Sequence, residues 1–97
     1  MVVDSISRQD NLIPEYVEHV PEILDPTRLY ISERFQIAIH LCACGCGVKT
    51  VTPLAPDEWT LSGTKESVTL RPSIGNFKGE NPYHAHYFIT NNKIVWL

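Results

Sequence analysis

All three cysteines of this chain fall within five positions, in the run Cys42-Ala43-Cys44-Gly45-Cys46-Gly47, and some forty residues later comes His84-Ala85-His86. Three thiolates and two imidazoles form a soft donor set suited to one tetrahedral zinc ion. Gly45 and Gly47 carry no Cβ, so the backbone there is free to take positive φ and wrap its amides around sulfur. His84 and His86 share one side of an extended strand, because alternate side chains point the same way. The candidate metal ligands are therefore Cys42, Cys44, Cys46, His84 and His86, which exceed the four donors of a structural zinc site.

Other chemistry asked of these residues fares worse. His-x-His serves metal-dependent isopeptidases and metallo-β-lactamase-like hydrolases, but both need an aspartate soon afterwards, and residues 87–97 contain none. The deaminase pattern of His-x-Glu with Pro-Cys-x-x-Cys is absent, as is the zincin His-Glu-x-x-His. Three cysteines with four histidines cannot fill the two zinc sites of a RING domain. A Cys46 nucleophile paired with His40 or His84 is a lone pairing of little weight. His40, inside the apolar run Ile37-Ala38-Ile39-His40-Leu41, reads as a strand histidine or a donor to a ligand, and His19 as solvated.

The elements that position these groups are short and β-branched or aromatic. Strands are predicted at 28–32, 35–42, 48–52, 58–61, 67–70, 86–89 and 94–97. Turn formers separate them, and Asn91-Asn92 is a two-residue hairpin signal because Asn tolerates positive φ. Residues 1–14 lack a sustained period and read as a loose tail, leaving 15–97 as one zinc-binding β domain. Between Pro14 and Pro26 the apolar spacing of Tyr16, Val17, Val20, Ile23 and Leu24 predicts a short helical turn interrupted by Pro21. The aromatic residues, Trp59, Tyr87 and Trp96 among them, read as core or sheet face. The stretch 70–77, with Arg71, Pro72, Ser73 and Gly75, reads as a recognition loop near the metal or a tight connection.

Size and charge narrow the class. Ninety-seven residues make at most one domain with a modest core, which a metal staple would support. A net charge of −3 offers no broad field for phosphates, so nucleic acid is disfavoured and a protein or small molecule is the expected partner. An odd number of crowded cysteines fits a reducing cytoplasm better than a disulfide framework. No signal-like segment and no bilayer-length apolar run is present, so no membrane partner is expected.

Taken together, the run 40–47, then Val51-Thr52-Pro53-Leu54 with Trp59, then the Pro-Ser-Ile-Gly-Asn segment at 72–76, then His86-Tyr87-Phe88-Ile89 with Trp96, resemble a family of small bacterial proteins catalogued as domain of unknown function number 6527. The resemblance covers residues 17–97 and implies zinc binding. It also implies an accessory role beside prokaryotic ubiquitin-like conjugation, with a ubiquitin-like protein or its E1-like or E2-like enzymes as partner. That family's pattern reads Cys-x-Ser-His-Tyr where this chain has Tyr83-His84-Ala85-His86-Tyr87. Either His84 replaces the missing thiolate, or the site closes through all three upstream cysteines with His86. The resulting expectation is a mainly β, mostly antiparallel domain stapled by one structural zinc and acting as an adaptor. Its rivals are a zinc hydrolase or transferase with an open metal position, using Glu58, Glu66 or Glu80 as base, and a cysteine carrier in ubiquitin-like transfer.

Overall fold

The computed structural model describes the backbone of residues 8–78 and 81–97 and the side chains of residues 8–76 and 85–97. Among the described residues every regular element is a strand: β1 (Ile13–Tyr16), β2 (Arg28–Ser32), β3 (Ile37–Leu41), β4 (Lys49–Pro53), β5 (Thr60–Gly63), β6 (Val68–Lys78), β7 (Asn81–Thr90) and β8 (Lys93–Trp96). They form two four-stranded sheets, ordered β1-β2-β3-β4 and β5-β6-β7-β8. Neighbours pair antiparallel except β1 and β2, which run parallel.

Alternation along the strands explains why two sheets suffice. Leu29, Ile31 and Ala38 from the first sheet meet Val68, Leu70, Ile74, Ala85, Tyr87, Ile89 and Ile94 from the second in one core. The intervening residues Tyr30 and Ile39 point the other way and pack with Leu24, Val17 and Val20. Each large side chain taken fully out of water in this manner contributes about 1.5–3 kcal/mol.

That second cluster accounts for the missing helical turn. The spacing of Val17, Val20 and Leu24 comes from a segment laid across the outer face of the first sheet, where Tyr30 and Ile39 receive it. Pro21 and Pro26 withhold backbone donors that a helix would need. The described part of the stretch read as a tail is anchored. Leu12 is buried, its N–H donates to the Asn92 carbonyl at 2.8 Å, and Ile94 N–H donates to the Asp10 carbonyl at 2.8 Å. The hairpin at Asn91-Asn92 has the positive φ values its turn requires, 49° and 71°.

The first sheet is thus covered on its outer face over Tyr30 and Ile39, while Lys49 and Val51 of β4 stay exposed. Beyond the second sheet's core face lies an outer face that carries Arg71, Ser73, His86, Phe88 and Val95, all exposed or half-buried.

Candidate catalytic pair and metal centre

Two groups of functional side chains face opposite ways from one strand. Tyr87 of β7 points into the core, and its neighbour His86 points out, as strand alternation requires.

On the outer side, Ser73 Oγ lies 2.9 Å from His86 Nε2, and both side chains are half-buried. With Nε2 unprotonated, the hydroxyl donates to it, which is the arrangement in which an imidazole activates a serine. Sequence reasoning placed this segment in a loop because Pro72, Ser73 and Gly75 are turn formers, whereas β6 in fact runs through it to Lys78. The register explains how. Leu70 pairs with Ile89 and Ile74 with Tyr87, so β6 spends four positions where β7 spends two. This bulge contains the cis Arg71–Pro72 peptide and Ser73. Bulges re-aim side chains and are frequent beside active sites.

The side chains of Trp59 and Arg71 hold the bulge. The Trp59 indole Nε1 donates to the Pro72 carbonyl at 3.1 Å. Arg71 donates to the carbonyls of Leu70 and Ile89 at 2.8 and 3.3 Å and to Thr90 Oγ1 at 2.9 Å. Its guanidinium also lies 4.4 Å from the centre of the Phe88 ring. The segment is therefore fixed by donors that replace the disrupted ladder.

On the inner side lies the cysteine knuckle. The Sγ atoms of Cys42, Cys44 and Cys46 all lie within 4.8 Å of one another, and those of Cys42 and Cys44 are 3.5 Å apart. Gly45 and Gly47 adopt φ of 94° and 84°, so the turn needs residues without a Cβ. Burial, with neighbouring thiols adding to it, pushes the Cys44 thiol up to about 12. Three sulfurs this close do not share negative charge without a cation, and a metal ion that binds them displaces their protons. The knuckle can therefore hold a metal ion, and the three cysteines alone make up the group among the described residues.

A buried polar chain backs the knuckle. Tyr87 Oη lies 2.8 Å from His40 Nε2 and accepts from the Ala43 N–H at 3.3 Å. Burial pushes the Tyr87 phenol upward, and the charge of nearby Cys42 acts in the same direction. His40 is completely buried, which lowers its pKa to about 4 and keeps the ring neutral.

Of the five expected ligands, the structure therefore gathers Cys42, Cys44 and Cys46 and gives His86 a contact with Ser73 on the other face. The side chain of His84 lies outside the described residues, as does that of Glu80. Ser73 is the residue that spacing arguments missed.

A two-sheet β fold among the described residues, with a serine–histidine contact on its open face and a cluster of three thiols that could hold a metal ion, defines the class of protein. The chain belongs to the family described as bacterial ubiquitination-like system serine protease (BubE), whose profile matches residues 16–97. Membership carries the link to bacterial ubiquitin-like systems that the resemblance implied, under this description rather than as domain 6527. No curated protein and no solved structure matches the chain. No helix among the described residues is long and apolar enough to cross a membrane.

Proposed function

We propose that this chain is a serine hydrolase that cleaves an amide bond in a protein of a ubiquitin-like system, with Ser73 as nucleophile and His86 as general base. The observation that carries this reading is the 2.9 Å contact between Ser73 Oγ and His86 Nε2 on an open sheet face. The family's description as a serine protease supports it. The adaptor suggested by the sequence has no use for such a pair, so the contact favours a catalyst.

The chemistry follows from the two atoms. Ser73 Oγ attacks the scissile carbonyl carbon while its proton passes to His86 Nε2. Collapse of the tetrahedral intermediate breaks the C–N bond, and His86 returns the proton to the departing amine. Water then adds to the acyl-serine, again giving a proton to His86, and the acid leaves as the Ser73 hydroxyl is restored. Arg71 and Trp59 position the bulge and take no part in the proton transfers.

Zinc is the metal that best suits the knuckle, and the thiolates of Cys42, Cys44 and Cys46 would hold it. When bound, it neutralises the thiolates and fastens the β3–β4 connection. Three cysteines with no disulfide among them suit a reducing cytoplasm.

An alkyl fluorophosphonate tests the assignment. Attack by Ser73 Oγ on phosphorus expels fluoride, and His86 accepts the proton, leaving a covalent adduct visible by mass spectrometry. The adduct is expected on Ser73 and is expected to vanish in Ser73→Ala. Undiminished labelling of the Ser73→Ala protein overturns the nucleophile assignment.

A further inference from the structure

β6 is the longest of the described strands, and its partner on one side is short. β5 pairs with it only from Val68 to Arg71, where Thr60 stands opposite Arg71. At the next residue the chain of β5 departs: the Trp59 N–H donates to the Pro53 carbonyl, and only its indole reaches back, to the Pro72 carbonyl. From Pro72 to Lys78, no described strand pairs with β6 on that side. The open edge therefore begins at the residue before Ser73.

The hydrogen-bonding parity of the sheet tells which groups look out of that edge. Leu97 N–H donates to the His86 carbonyl, so His86 turns its backbone groups toward β8. Backbone groups alternate in direction along a strand, so Ala85 and Tyr87 turn theirs toward β6. Their partners there are Asn76 and Ile74, which leaves Gly75 between them with its N–H and C=O toward the open side. Gly75 has no side chain to hold another backbone away. Exposed edges are normally blunted by proline, charge, a bulge or a cover. Pro72 and the bulge blunt this one only on the near side of Ser73. Beyond the nucleophile no described strand pairs with this edge.

We propose that the polypeptide substrate binds here as an added strand, pairing its backbone with the Gly75 N–H and C=O so that its scissile carbonyl reaches Ser73. Extended segments commonly add to exposed sheet edges, and the main-chain bonds give affinity without demanding a particular sequence. Gly75 Cα lies roughly 7 Å along the strand from Ser73 Cα, which places the paired substrate residue two or three positions from the cleaved bond. The occupant is thus a stretch of extended chain rather than a compact ligand. The inference rests on Ser73 being the nucleophile.

The test uses mixed-sequence tetrapeptidyl diphenyl phosphonates against the acetyl analogue of the same warhead. Each reacts by forming a bond from Ser73 Oγ to phosphorus with loss of phenoxide. The peptidyl probes are expected to label Ser73 about tenfold faster or more, and N-methylation of the residue two or three positions from phosphorus is expected to remove that gain. N-methylation elsewhere should leave the rate within about twofold. Equal rates for peptidyl and acetyl probes overturn the edge, as does a gain indifferent to N-methylation. A gain that disappears with rising protein concentration, alongside sedimentation as a dimer, assigns the edge to a second copy of the chain and also overturns the proposal. Absence of labelling at Ser73 by every probe, the acetyl analogue and an alkyl fluorophosphonate included, removes the nucleophile itself and is distinguishable from each of these outcomes.

Discussion

The two sides of β7 are built by opposite rules. Behind Tyr87, the polar chain is taken out of water: His40 and Ala43 are fully buried, Cys42 nearly so, and the tyrosine hydroxyl sits among their polar atoms, with Cys44 and Cys46 half-buried at the margin. Around His86 the side chains remain half-open, and the ordering comes from hydrogen bonds to a bulged strand. A buried polar cluster is costly when incomplete and so acts on stability. An open pair costs the fold little and acts on rate. The same strand thus separates a centre whose loss should unfold the protein from one whose loss should silence it.

The strongest break between the two sides is expected from Ser73→Ala. Serine labelling and amide cleavage should fall by on the order of a thousandfold or more. The thermal midpoint should stay close to that of the parent, since a half-buried hydroxyl is all that leaves. His86→Gln should slow both reactions by about 10²–10⁴, the usual worth of a general base. A folded Ser73→Ala protein that still cleaves would erase the contrast.

Cys42→Ser should do the reverse. Structural zinc sites couple binding to folding, so losing one thiolate of the knuckle is expected to cost on the order of 5 kcal/mol. Thermal unfolding and metal content report that loss together. The labelling rate of Ser73, normalised to the folded fraction, should change by no more than about threefold, because the knuckle faces away from the pair. A Cys42→Ser protein with full stability would show that the sulfurs are ordinary small hydrophobes.

These two outcomes also mark what could be read in the sequence. The knuckle was legible because its chemistry is local: three thiols and two glycines within six positions announce a turn and a donor set without knowledge of the fold. Most strands and the Asn91-Asn92 turn were legible for similar reasons of alternation and φ preference. Ser73 and His86 lie 13 residues apart and meet only through a register that includes a bulge. Proline, serine and glycine at 72–75 imitate a loop, and the strand identity of that stretch comes from pairing with β7. Val17, Val20 and Leu24 likewise imitate a helix because the face they cover, Tyr30 and Ile39, is distant in sequence.

Acid should sharpen the contrast through His40. Its pKa is about 4 in the fold against an ordinary 6.5, so at neutral pH the ring is uncharged in both the folded and the unfolded chain. Between 6.5 and 4 the unfolded chain takes a proton that the fold refuses. Stability therefore falls as pH drops through that window, by on the order of 3 kcal/mol in all. Urea midpoints at neutral and acidic pH, with metal content followed in parallel, separate the effect from any metal release. His40→Leu should flatten the acid loss that carboxylates do not explain, whatever it does to stability at neutral pH. An identical slope in the two proteins would show that His40 titrates normally.

The smallest effect, and the one that ties positioning to rate, belongs to Trp59. Its indole Nε1 donates to the Pro72 carbonyl at 3.1 Å, one residue before the nucleophile, at a place where the backbone of β5 has already left. Trp59→Phe keeps an aromatic ring and removes that donor. Water can reach the freed carbonyl, because this bond lies at the surface, so the stability cost should stay within about 1 kcal/mol. Ser73, released from one of its neighbours' restraints, should sample positions away from His86 Nε2, and the labelling rate should fall about fivefold. The pH dependence of labelling should keep its shape, since the base itself is untouched. A rate loss accompanied by an equal loss of folded protein would make Trp59 a stability residue, whereas a rate loss in fully folded protein shows that the second sheet's edge is built to aim its serine.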